Sequence, residues 1–117
     1  MTEEKLARVV SQLLELSKAG KLNWEITVND RAFQTNFEAC SVRISERGDD
    51  DDISHVISIY QRDGTEIEAI SIEALSNHLN GTLEATIMGG HLYNLARRNA
   101  RGVDEALDSL LEQLNNR

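Results

Sequence analysis

The sequence predicts an α+β domain: an N-terminal helix, a four-stranded antiparallel sheet, and two or three C-terminal helices packed on the sheet. Three observations carry this prediction. A leucine–valine stripe of helical spacing opens the chain, β-branched runs flank an Asp63-Gly64 turn, and a second leucine-rich helical stripe closes it. The 117 residues make one domain, 1–117, long enough to bury most of its apolar surface without disulfides or metal.

Thr2 caps the first helix, and Glu3 and Glu4 sit where the positive end of the dipole favours them. Leu6, Val9, Val10, Leu13, Leu14 and Leu16 then recur with helical spacing, and Lys18 and Gly20 supply the stop. The helix is predicted over residues 3 to 18. Leu22, Trp24, Ile26 and Val28 alternate with polar residues, which predicts a half-buried strand with Trp24 as a core anchor, turning at Asn29-Asp30.

The run Ala32 to Glu46 holds a conflict of parity. Phe33, Phe37 and Ala39 share one face, whereas Cys40, Val42 and Ile44 share the other. A β-bulge near Glu38 to Cys40 is the economical resolution, and two shorter strands are the alternative. Gly48 and the run Asp49 to Asp52 mark an exposed loop. The acidic run lacks the alternating ligands, the central glycine and the final glutamate of a calcium loop, so no metal is expected there.

Ile53 to Tyr60 and Thr65 to Ser71 form the hairpin. A two-residue Asp63-Gly64 loop sets Arg62 opposite Thr65, Tyr60 opposite Ile67 and Ile57 opposite Ile70. Ser71 caps a short helix with Ile72, Leu75 and Leu79 on one side, stopped by Asn80-Gly81. Residues 82 to 91 fit either a second hairpin turning at Asn80-Gly81 or a helix. The helical stripe Leu83, Ile87, Met88, Leu92 favours a helix beginning between Leu83 and His91, although Gly89-Gly90 inside a helix costs about 2 kcal/mol relative to alanines.

Beyond Leu92 the phase runs through Leu95, Ala96, Val103, Leu107, Leu110, Leu111 and Leu114. Charge divides this stretch. Arg97, Arg98 and Arg101 suit a helix C-terminus, and Asp104 and Glu105 suit the cap and first turn of another, so a break is predicted at Gly102.

The formal charge of −8 repels phosphate backbones, and no nucleic-acid partner is expected. No basic segment precedes an apolar core and no apolar run approaches the ~18 residues of a membrane span. Neither a cleaved signal nor a membrane contact is expected, and the expected compartment is the cytoplasm. Cys40, the single cysteine, reads as a small strand hydrophobe. His55, His78 and His91 show no metal-ligand spacing, and no nucleophile elbow, dinucleotide fingerprint or phosphate loop occurs. No catalytic residue, metal or cofactor is predicted.

The sequence supports two readings of function. The first is non-catalytic protein recognition, of inhibitor, adaptor, chaperone or immunity type, by a homodimer that also suits a protein with a basic surface. Antiparallel C-terminal helices would set Arg97, Arg98 and Arg101 of one copy against Asp104, Glu105 and Asp108 of the other. The alternative is a small anionic-ligand-binding domain. It would use a helix start at Gly89, Gly90 and His91 together with Arg97, Arg98 and Arg101.

Overall fold

The computed structural model describes residues 2–117. Its first helix, α1 (Thr2–Lys18), buries Leu6, Ala7, Val10, Leu13 and Leu14, the inner part of the predicted stripe. Gly20 donates to the Ser17 carbonyl at 3.1 Å and Lys21 to the Leu16 carbonyl at 2.9 Å, which closes the helix end.

The sheet has five strands rather than four: β1 (Glu25–Ile26), β2 (Ala32–Asn36), β3 (Cys40–Arg47), β4 (Ser54–Gln61) and β5 (Glu66–Ser71). They form one antiparallel sheet in sequence order. The fifth strand comes from the parity conflict. The chain reverses around Glu38-Ala39, with the Phe37 amide donating to the Cys40 carbonyl at 2.8 Å, so the run is two strands and not one bulged strand. Reversal brings Phe33 and Thr35 to the same face as Ile44 and Val42.

The strand expected over residues 22–28 is reduced to two residues because its backbone bonds elsewhere. The Trp24 amide donates to Asn99 Oδ1 at 2.7 Å. Thr27 Oγ1 donates to the carbonyls of Asn29 and Ala32, folding the chain into the turn. Trp24 itself is buried as predicted, and its indole N–H donates to Ser17 Oγ at 3.0 Å.

The central hairpin keeps the predicted pairing of Ile57 with Ile70 but not that of Tyr60 with Ile67. The Gln61 amide bonds the Thr65 carbonyl, which leaves Arg62, Asp63 and Gly64 as a three-residue loop. Tyr60 therefore faces Glu66, and the register recovers through a shift between Ile59 and Tyr60.

Phe33, Ile44, Ile57 and Ile70 lie in one row across β2 to β5. This is the floor of the core. It is covered by α1, by a 3-10 segment (Ile72–His78) and by α2 (Thr82–Ala100), with Ile72, Leu75, Leu92 and Ala96 fully enclosed. The opposite sheet face is mostly polar, with Ala32 and Val56 its buried apolar members. Arg43 donates to Gln34 at 2.8 Å and its guanidinium lies 4.9 Å from the centre of the Tyr60 ring.

Helix α2 starts at Thr82, after Asn80 and Gly81 at positive φ, and runs through Gly89-Gly90. The glycines are there for proximity. A Cβ on Gly89 would stand 3.1 Å from both Cβ and Nδ1 of His55 and 3.3 Å from Glu73 Oε2, whereas one on Gly90 would meet only His55 Cε1 at 3.8 Å. Opposite outcomes are expected for two adjacent substitutions. Gly90→Ala should stabilise the fold by roughly 0.5–1 kcal/mol, the helix-propensity gain. Gly89→Ala should destabilise it, because overpacking costs about 1–3 kcal/mol and outweighs that gain. Urea denaturation of both variants checks the difference in sign.

The predicted break is present. Gly102 takes the left-handed conformation (φ 64°, ψ 36°) and separates α2 from α3 (Val103–Asn115). A residue with a Cβ is strained in that conformation. No residue of α3 is buried, and its substantial contacts are with α2. The molecule is correspondingly elongated, 57 × 34 × 27 Å. Its radius of gyration is 15.5 Å, against roughly 13 Å for a compact chain of this length.

Candidate functional site

Helix α3 carries Leu107, Leu110, Leu111 and Leu114, which are 46%, 53%, 58% and 65% exposed. Their spacing puts them on one stripe of the helix, with Asp104, Asp108 and Glu112 along one flank. The stripe is as apolar as the one on α1, yet among the described residues none buries it. It leaves the body because Gly102 ends α2: the Arg101 amide bonds the Arg97 carbonyl, the Gly102 amide bonds the Asn99 carbonyl, and the new helix takes a new direction.

A second unfilled apolar feature lies on the body. An open groove of about 580 Å³ runs between α1 and the sheet. Val9, Leu13 and Leu16 form its helix wall, and Phe37, Cys40, Val42 and Ile59 form the sheet side. Lys5, Arg8 and Gln12 complete the α1 edge. Cys40 is thus a half-buried thiol in a groove rather than a core filler.

The residues proposed for an anion site are not gathered. Gly89 is buried where α2 meets His55 and Gly90 is half-buried, while His91 is exposed. Neither glycine is near a helix N-terminus, since α2 begins at Thr82. Arg97 is half-buried and Arg98 exposed, with Arg98 Nη2 lying 3.4 Å from Asp104 Oδ1 of the same chain. Arg101 donates to the Asp30 carbonyl at 3.0 Å and covers the Phe33 ring at 5.5 Å. Arg98 and Arg101 are thus both engaged within their own chain.

Among the described residues, the buried polar group that can carry charge is one that the sequence does not announce. His55 is 6% exposed. Its Nε2 lies 3.5 Å from Glu46 Oε2 and its Nδ1 lies 3.7 Å from Glu73 Oε2. Glu73 Oε1 accepts from the His55 amide at 3.1 Å and from Ser71 Oγ at 2.9 Å, and Arg31 donates to Glu46 Oε1 at 3.2 Å. Only strand pairing brings Glu46 opposite His55, and only the turn after β5 brings Glu73 beneath it. The cluster ties the 3-10 segment and α2 to β3 and β4, and Gly89 closes it from above.

Tyr93 packs against both His55 and Phe33, with ring centres 5.7 and 5.6 Å away. Burial, then the negative charge of Glu46, raises its phenol above the ordinary value of 10.0, partly offset by Arg101, Arg31 and Arg97. The raised value means that the folded state holds the phenolic proton more tightly than the unfolded chain does. The associated stability is complete below the unfolded value and is lost as pH rises through the folded one. Alkaline unfolding should therefore differ between the native chain and Tyr93→Phe only above about pH 10. Denaturation midpoints measured from pH 8 to 12 check this.

Comparison with protein-family models, curated proteins and solved structures finds no match. Among the described residues no helix is long and apolar enough to cross a membrane. The two unfilled apolar features, the α3 stripe and the α1 groove, are the centre of the candidate site.

Proposed function

We propose that this protein is a non-catalytic protein-recognition module that acts as a homodimer, with α3 as its recognition helix. One observation carries the reading: a helix of 13 residues with no buried side chain displays a continuous leucine stripe. An isolated helix of this length is marginal in water, since most helix stability comes from packing an apolar face. Exposed apolar stripes of this kind mark interaction surfaces more than they mark solvent. The acidic flank fits a basic counterpart, on a second copy or on another protein. A cytoplasmic setting agrees with the free thiol.

Amide hydrogen exchange tests the reading. The α3 amides should be protected at micromolar chain concentration and lose protection on dilution, while amides of the core strands stay unchanged. Rapid exchange of α3 at every chain concentration, unchanged by any added partner, contradicts a recognition role.

A further inference from the structure

We propose that the groove between α1 and the sheet is the receptor for the α3 helix of a second copy of this chain, so that two protomers exchange helices reciprocally about a two-fold axis. This rests on the reading of α3 as the recognition helix and names what it binds.

Three matches support the pairing. The first is shape. From Lys5 to Leu16 the groove's helix wall spans about 18 Å at 1.5 Å per residue, and α3 spans about 20 Å. The second is apolarity. The groove is lined by half-buried apolar side chains, Val9 and Leu16 on α1 with Cys40 and Ile59 on the sheet, and α3 presents exposed leucines.

The third is charge. Lys5 and Arg8 stand on the α1 edge of the groove, whereas the sheet side, Phe37, Cys40, Val42 and Ile59, carries no charge. Three of the four acids of α3 are also one-sided, and the fourth, Glu105, lies on the face opposite the leucines. At 100° per residue Asp104, Asp108 and Glu112 fall on one flank of the leucine stripe, and Ser109 and Gln113 on the other. Only one direction of the helix sets its acids against Lys5 and Arg8 and its neutral flank against the uncharged sheet side. For a chain of formal charge −8, that direction also reduces the repulsion between copies.

The chain does not fill its own groove. Its α3 starts at the hydrogen-bonded turn around Gly102, is tied to α2 by Arg98 and Asp104, and leaves the body. When each of two copies places its helix in the other's receptor, the exchange is two-fold symmetric and closes at a dimer.

Cys40 provides the test, because it sits in the groove and is the single cysteine. Full-length Leu107→Cys, Leu110→Cys, Leu111→Cys and Leu114→Cys are each made with Cys40 present and with Cys40→Ser. Each is oxidised mildly at micromolar concentration and run without reductant. At least one α3 variant should give a dimer band that disappears with Cys40→Ser, while the unmodified chain gives none. Dimer bands that persist with Cys40→Ser mean that α3 pairs with α3, which overturns the groove as receptor but leaves α3 as the recognition helix. An oxidised monomer with both thiols consumed means that α3 folds onto its own groove, and overturns the exchange. A native dimer with no cross-link from any position also overturns it. A chain that sediments as a monomer removes both this inference and the homodimer on which it rests.

Discussion

Replacing Trp24 with alanine is expected to cost about 3–5 kcal/mol of folding stability, the range for truncating a buried aromatic. Trp24 is 4% exposed and lies in the cluster that joins α1, the sheet and α2. Its contribution is more than area. The indole N–H bonds Ser17 near the end of α1, and the residue's amide bonds Asn99 near the end of α2. Trp24→Ala removes the ring and the first bond but leaves the second. Trp24→Phe keeps most of the volume and leaves the Ser17 hydroxyl without its donor, for an expected loss of about 1–2 kcal/mol. Asn99→Ala should cost about 1 kcal/mol through the amide it leaves unpaired. Small domains are stable by about 5–15 kcal/mol in total, so the alanine variant should unfold at far lower urea with little change in slope. Circular dichroism must be the probe, since the substitution removes the only tryptophan. A loss below about 1 kcal/mol for Trp24→Ala contradicts the anchor role.

The second large effect concerns association. Leu110→Glu puts a carboxylate in the middle of the exposed stripe, where a docked helix would bury it. A central contact residue is worth about 2 kcal/mol, and two-fold symmetry makes each substitution count twice. The expected loss is about 4 kcal/mol, or about a thousandfold in Kd. The fold itself should be indifferent. No residue of α3 is buried, so the unfolding free energy of the monomer should change by no more than about 0.5 kcal/mol. A variant that unfolds as it dissociates would mean that α3 supports its own domain, contrary to its lack of buried side chains.

Local signals in the sequence were sufficient for what is local in the structure. The stripe of α1, the buried side of the 3-10 segment at Ile72, Leu75 and Leu79, and the break at Gly102 each follow from spacing, a stop residue and charge. The central hairpin was legible from Asp63-Gly64 and its flanks, except for one loop residue. Arg62 joins the loop, and the strand absorbs the slip at Tyr60. Parity alone could not tell a bulge from a reversal at Glu38-Ala39, because both return Val42 to the core face. Trp24 was readable as an anchor, but the short strand around it was not, since its amide bonds a residue 75 positions away.

The site was the least legible part. Gly89-Gly90 could be read as a helix start or as costly positions inside a helix, and the reason for glycine there, the approach of α2 to His55, is held in β4. His55, Glu46 and Glu73 have no spacing in common, and strand register assembles them. The groove joins α1 to residues about 20–55 positions later, so no short window of sequence contains it. The α3 leucines were visible as a stripe. Whether a stripe faces a core or a partner depends on what lies opposite, and that is a tertiary fact.

Sedimentation equilibrium of the unmodified chain, at micromolar concentration and moderate salt, tests the homodimer most directly. The predicted result is a reversible self-association with a limiting mass of twice 13.1 kDa, weakened by salt through the pairing of Lys5 and Arg8 with the α3 acids. A single species of 13.1 kDa across the concentration range would contradict it.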